Sequence, residues 1–154
     1  MKALIAAGGT GGHLYPGMAL AREVLRREGD EALFVGTGQG IEARILPKEG
    51  LPVRFISAGK VKGMGAGAVL RTLFQLPRSL YQAVRVVWQE RPDVVVGVGG
   101  YASAPVGIAA WILRVPLVIV EPNSYAGLAN RLLGKIARRI FICFPGADRH
   151  GFFP

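Results

Sequence analysis

The residues best suited to chemistry stand near the start of the chain: Gly8-Gly9-Thr10-Gly11-Gly12-His13, with Pro16 shortly after. Counting from Ala6 to His13, four of eight residues are glycine. The run follows an apolar segment, Ala3 to Ala7, that reads as a buried strand. It precedes Met18, Ala19, Leu20, Val24 and Leu25 at helical spacing. Glycine permits positive φ and lets a ligand approach the backbone closely. A helix N-terminus supplies unpaired N–H groups and a partial positive charge, and Pro16 suits the first helical turn. Strand, glycine turn and helix in that order make a site for an anion, a phosphate above all. A tight turn that binds nothing is the alternative, but it does not need four glycines and a histidine.

The spacing excludes two familiar phosphate sites. A dinucleotide fingerprint requires Gly-x-Gly-x-x-Gly, and Leu14 stands where the third glycine belongs. The acidic ribose ligand expected after the second strand is also missing, since that strand reads out as Phe34-Val35-Gly36-Thr37. No Gly-Lys-Ser/Thr closes the turn as in a Walker A loop. Neither NAD nor a P-loop nucleotide is expected, and no other cofactor is implied.

Composition narrows the class further. The chain of 154 residues is long enough for one domain with a proper core, and 51% of it is hydrophobic. Mean hydropathy is +0.34, yet no apolar run reaches transmembrane length, and no signal peptide is expected ahead of the first strand. The lone cysteine, Cys143, excludes an internal disulfide, and no His/Cys cluster has metal-ligand spacing. Nineteen basic against ten acidic residues give a net charge of +9, which calls for an anionic partner: nucleic acid, anionic lipid or a phosphorylated substrate.

The elements that must position the glycine turn alternate along the chain. A helix is expected over roughly Gly17–Arg27, a strand over Glu31–Val35, and a short helix over Ile41–Lys48. Val53–Ile56 reads as a third strand, followed by a loop containing Lys60 and Lys62. A long helix over Ala68–Glu90 is expected to kink at Pro77. Asp93–Val96 is a fourth strand whose run of valine suits a sheet covered on both faces. A second glycine turn, Gly97, Gly99 and Gly100, leads into a helix through Trp111. Leu117–Val120, a helix over Gly127–Leu133 and a strand over Arg139–Ile142 complete the pattern. Such alternation is α/β: a doubly wound parallel sheet, Rossmann-like. In the order 3-2-1-4-5, strands one and four are neighbours, so the two glycine turns face each other across one crevice.

Gly8-Gly9-Thr10-Gly11-Gly12-His13 with Pro16, then Gly99-Gly100-Tyr101, then Glu121-Pro122-Asn123 resemble the MurG family in order and spacing. These are membrane-associated N-acetylglucosaminyltransferases of peptidoglycan and cell-wall synthesis, a process tied to cell shape and cell division. The likeness runs through Gly36-Thr37 with Glu42, Pro47-Lys48, Pro92-Asp93-Val94-Val95 and Phe144-Pro145-Gly146, and so covers essentially the whole chain. One departure is Pro122, where the family usually has glutamine; it removes a backbone donor and an amide but leaves Glu121 and Asn123 available.

The resemblance implies a GT-B enzyme of two domains. Residues 1–154 then form the N-terminal, acceptor-side and membrane-binding half, expected to be inactive without the C-terminal nucleotide-sugar domain. The implied reaction moves GlcNAc from UDP-GlcNAc to the 4-hydroxyl of MurNAc in lipid I, with inversion, giving lipid II. It implies peripheral attachment at the cytoplasmic face of the inner membrane. Within that frame Thr10, Gly11 and Gly12 offer donors to the substrate, and Tyr101 and Asn123 hydrogen-bond it. His13 and Glu121 are rival general bases: the helix dipole keeps His13 neutral, while Glu121 could equally well hold neighbouring N–H groups. Ser103 and Asn130 carry weaker signals, and Arg138 and Arg139 suit a solvated basic face.

The long helix carries a surplus of apolar surface. Leu70, Leu73, Phe74, Tyr81, Val84 and Trp88 fall on one stripe; Val69, Leu76, Leu80 and Val87 fall on the next. Arg71, Arg78 and Arg85 border the first stripe, and Trp111 extends the patch, as expected of a helix docked on an anionic membrane. Two other classes remain. A non-catalytic membrane-anchoring subunit of a split GT-B transferase would need a separate partner to complete its site. A nucleic-acid-binding module is suggested by charge, but no nucleic-acid motif supports it and no such partner is expected.

Overall fold

A computed structural model describes residues 1–58, 66–145 and 153, with side chains in the long helix described from Gln75 onward. Six strands, β1 (Lys2–Ala7), β2 (Glu31–Thr37), β3 (Val53–Ile56), β4 (Val94–Gly99), β5 (Leu117–Glu121) and β6 (Arg139–Ile142), form one sheet. They alternate with α1 (Gly11–Leu25), α2 (Glu42–Lys48), α3 (Ala66–Glu90), α4 (Ser103–Ile112) and α5 (Leu128–Leu133). Every pairing is parallel, in the order β3-β2-β1-β4-β5-β6, so β1 and β4 are the expected neighbours.

Side chains alternate across a strand, and β1 divides its residues accordingly. Ala3, Ile5 and Ala7 join Phe34, Val96 and Val98 in one core with Leu14, Met18 and Ala21 of α1 and Leu46 of α2. Leu4 and Ala6 join Leu33, Val35, Val95 and Ile119 in the other, beneath Ala83 and Val87 of α3, Val106 and Ala109 of α4 and Leu133 of α5. Both faces are therefore dry, which is why the central strands read as unbroken apolar runs.

Two boundaries differ from expectation in ways that matter to the site. The first helix begins at Gly11 rather than near Gly17, because Thr10 is extended (φ −135°, ψ 162°) and the second glycine pair forms the first turn. Pro16 is thus inside the helix, where it has no N–H to give the carbonyl of Gly12. Strand β4 runs to Gly99, three residues past the expected Val96. Its pairing with β1 slips from Ala6–Gly97 to Ala7–Gly99, a bulge that aims the second glycine turn at the first. Helix α3 continues through Pro77 as one element.

Helix α3 packs through Ala83 and Val87, with Leu80, Val84 and Val86 against the same core. The expected first stripe is therefore split: Val84 faces inward while Tyr81 and Trp88 are exposed. The side chains of Leu70, Arg71 and Phe74, like Lys60 and Lys62, lie outside the described residues.

Candidate active site at the facing glycine turns

Thr10 is the N-cap residue of α1, yet its hydroxyl caps no backbone amide. It lies 3.1 Å from Nδ1 of His13 instead. The first amides of the helix, those of Gly11 and Gly12, are left without a capping side chain, as an anion or sugar oxygen requires. When Nδ1–H of His13 donates to Thr10 Oγ1, Nε2 is the free acceptor. That edge of the ring lies over Gly99, where a Cβ would come 2.6 Å from Nε2. Gly99 has φ +123°, and a Cβ on Gly100 (φ +89°) would overlap the carbonyl oxygen of Gly8. Glycine is demanded at both positions by backbone angle and by the close approach of the two turns.

Ser103, in the first turn of α4, ties those turns together. It is fully buried; its hydroxyl proton lies between the carbonyls of Ala6 at 2.8 Å and Gly99 at 2.9 Å, and its oxygen accepts from Gly99 N at 3.0 Å. Tyr101 is partly exposed beside Gly9, at the rim of the same crevice. The crevice encloses about 490 Å³ and is walled by Gly8–Thr10, His13 and Gly99–Tyr101, with Leu76, Pro105, Leu128 and Leu132 making an apolar side.

The two rival bases are placed very differently. Glu121 is fully buried. Its Oε1 accepts from Asn123 N and Nδ2, both at 2.9 Å, and its Oε2 accepts from Gly127 N at 3.0 Å and Asn130 Nδ2 at 2.9 Å. A carboxylate has about four lone-pair positions, and four donors occupy these. Glu121 therefore holds the loop after β5 rather than facing a substrate. His13 is half-buried, and loss of water pushes its imidazole below the ordinary value, with the Glu121 charge opposing. The side chain of Asn123 leans on Glu121, leaving its Oδ1 toward Gly12.

Thr10, Gly11, Gly12, His13 and Tyr101 thus gather with Asn123 at the carboxyl ends of β1, β4 and β5. Trp111 and Arg78 stand apart on the exposed faces of α4 and α3. Asn130 is buried, with Nδ2 also near the carbonyls of Val98 and Val120 at 3.3 Å. Among the described residues, no cluster of His, Cys, Asp or Glu could hold a metal ion, and no helix is long and apolar enough to cross a membrane.

Comparison with known proteins decides what the crevice belongs to. Residues 3–142 match the glycosyltransferase family 28 N-terminal domain. The chain belongs to that family. It is 50% identical to a UDP-N-acetylglucosamine--N-acetylmuramyl-(pentapeptide) pyrophosphoryl-undecaprenol N-acetylglucosamine transferase of Myxococcus xanthus, over 100% of this chain and 40% of the relative. A transferase of the same name from Acidithiobacillus ferrooxidans is 49% identical over 94% of this chain and 40% of its own length. Among solved structures, Acinetobacter baumannii MurG superposes with a TM-score of 0.81 and 33% identity, covering 94% of this chain and 42% of that one. The family 28 fold here is the Rossmann-like N-terminal half of the GT-B glycosyltransferases. The chain spans about 40% of the length of the curated relatives it matches.

Proposed function

We propose that this family 28 domain is the acceptor-side half of an inverting N-acetylglucosaminyltransferase. In this reading GlcNAc passes from UDP-GlcNAc to the 4-hydroxyl of MurNAc in lipid I. The observation that carries it is the arrangement of His13 between two facing glycine turns, in a chain half identical to transferases named for this reaction. Nε2 of His13 takes the proton of the acceptor hydroxyl as its oxygen attacks the anomeric carbon and UDP leaves from the opposite side. A neutral imidazole is needed for that step, and burial favours it. The amides of Gly11 and Gly12 and the hydroxyl of Thr10 meet oxygens of the acceptor, and Asn123 Oδ1 receives a sugar hydroxyl. Tyr101 closes the rim. A nucleotide-sugar domain completes the site from the open side, since transfer needs both substrates within near-attack distance.

The decisive experiment is GlcNAc transfer to lipid I by the chain alone and joined to its nucleotide-sugar domain. We expect no turnover by the chain alone, with weak UDP-GlcNAc binding. In the completed enzyme His13→Ala should lower kcat by ~10²–10⁴-fold with melting unchanged. A loss under about tenfold would remove His13 as the base.

The same reading places the domain on the cytoplasmic face of the inner membrane as a peripheral protein. Helix α3 exposes Arg78, Tyr81, Arg85 and Trp88, and the neighbouring α4 exposes Ile108 and Trp111. Exposed aromatic rings among arginines suit an anionic lipid surface. Flotation with anionic vesicles should weaken with salt and in a Trp88→Ser/Trp111→Ser double variant; equal binding to neutral vesicles would sink this placement.

A further inference from the structure

Beneath the first glycine turn lies a second fully buried carboxylate, that of Glu42, for which the transfer reaction has no use. Although Glu42 opens α2, its side chain runs inward between the turns that follow β1 and β2. Oε2 accepts from Gly9 N at 2.8 Å. Oε1 accepts from Thr37 N at 2.8 Å and from Thr37 Oγ1 at 2.9 Å. Three glycines make room for it. A Cβ on Gly8 would come 2.5 Å from its Cδ, one on Gly36 would come 2.5 Å from its Cγ, and one on Gly40 would overlap Oε2. Capping a seven-residue helix does not require glycines from three places to be shaped around one side chain.

We propose that Glu42 is the positioning residue of the glycine turn, fixing Gly9 and, through Thr10, the His13 ring. Gly9 is the point at which the chain leaves β1, with φ +85°, and Thr10 follows as the extended N-cap bonded to His13. A charge-assisted bond to Gly9 N–H sets the direction in which the turn enters α1. Glu42 is no ligand for the acceptor, because it is fully buried and both its oxygens are taken by Gly9 and Thr37. It also consumes the N–H of Gly9, so the amides presented to a substrate are those of Gly11 and Gly12. The contribution is geometric, and a misplacement of about 1 Å at such a site can cost ~10²-fold in rate.

The inference rests on reading this turn as the acceptor site, so its test has one part that needs no activity. Glu42→Gln keeps the volume but sets an NH₂ group against either Gly9 N–H or Thr37 N–H. Gly40→Ala keeps the charge and drives Oε2 off Gly9, which makes it the second variant should the first not fold. In the chain itself, amide exchange at Gly9 should accelerate about ten- to hundredfold, with β1 and β4 amides unchanged. The ¹⁵N signals of the His13 imidazole should move with it. In the completed enzyme kcat should fall by about tenfold or more while KM for UDP-GlcNAc holds. Unchanged Gly9 exchange and His13 signals in a folded variant would overturn the proposal, as would exchange that rises uniformly through the core. A moved loop with kcat intact would overturn it equally. Should the wild-type completed enzyme transfer nothing, the functional reading falls, while the loop measurements still decide what Glu42 positions.

Discussion

The two ends of the sheet handle acidic groups differently, although one exposed carboxylate at the amino ends, Asp93, also accepts a backbone amide, that of Lys2 at 2.6 Å. At the amino ends of the strands Asp30 pairs with the terminal amine of Met1, and Glu90 takes Lys2 Nζ at 2.7 Å and Arg54 Nε at 2.9 Å. At the carboxyl ends, Glu42 and Glu121 are fully buried and bonded to backbone and side-chain N–H and O–H donors, with no cationic partner among the described residues. An ion pair at the rim holds two long side chains loosely and is screened by water. A buried carboxylate held by amides fixes the backbone itself, and it leaves no lysine or arginine stem to fill the crevice. One end of the sheet is closed by charge pairs; the other is shaped by anions that shape loops.

Removing a carboxylate at each end measures this difference, and the largest effect belongs to Glu121→Ala. It strands the N–H groups of Asn123 and Gly127 and the amide of Asn130, each with a desolvation cost of its own. We expect a loss of ~3–5 kcal/mol in urea unfolding, enough to threaten folding at physiological temperature. A loss under about 1 kcal/mol would mean that water replaces the carboxylate and that the end is not shaped as described.

Much of this architecture was legible in the sequence, and the exceptions have physical causes. The parallel order and the facing glycine turns follow from strand–helix alternation and from glycine beyond β1 and β4, signals carried by local residue types. The start of α1 is hidden in the sequence because glycines in the first helical turn have the look of a loop, and the extended Thr10 at the N-cap is a fact of structure. The packing role of Gly17 is hidden for a related reason: it lets α1 lie close to β1, since a Cβ there would sit 3.0 Å from that of Ala7. Glu42 could be matched as part of the family pattern, but its purpose was hidden, because its partners Gly9 and Thr37 are brought together by tertiary structure. Glu121 and Asn123 are marked by the family motif and by their place after the fifth strand; which lone pairs are occupied is a fact of three dimensions.

A smaller effect is expected at the amino end. Glu90 is partly exposed, and its carboxyl is held below the ordinary value first by the Lys2 hydrogen bond and then by Arg54, against the cost of burial. Glu90→Ala should cost about 1 kcal/mol at neutral pH, reduced by salt. A carboxyl lowered on folding gives stability that is complete above its unfolded value, and that stability is lost as pH falls through its folded value. The gap between Glu90→Ala and the parent chain should therefore close on acidification below the ordinary glutamate range. A gap that persists there would show that Glu90 acts by packing rather than by charge.

The smallest effect tests His13, the titrating group that belongs to neither pattern. It is half-buried at the carboxyl end and, among the described residues, has no direct ion pair, its ring bonding only the Thr10 hydroxyl. Burial lowers its value on folding and outweighs the opposing field of Glu121. A lowered imidazole binds fewer protons in the folded chain than in the unfolded one. Its contribution is thus complete above the unfolded value, about 6.5, and is lost as pH falls through that value toward the folded one. Melting temperature followed from about pH 7.5 to 5 should decline slightly in the parent chain, and the decline should be shallower in His13→Gln. The His13 ring bonds one neutral hydroxyl where Glu90 bonds two cations, which keeps this effect below that at Glu90. A steeper fall in His13→Gln than in the parent would reverse the sign and place the Glu121 field above burial. Folding would then favour the imidazolium, the form that cannot take the acceptor's proton.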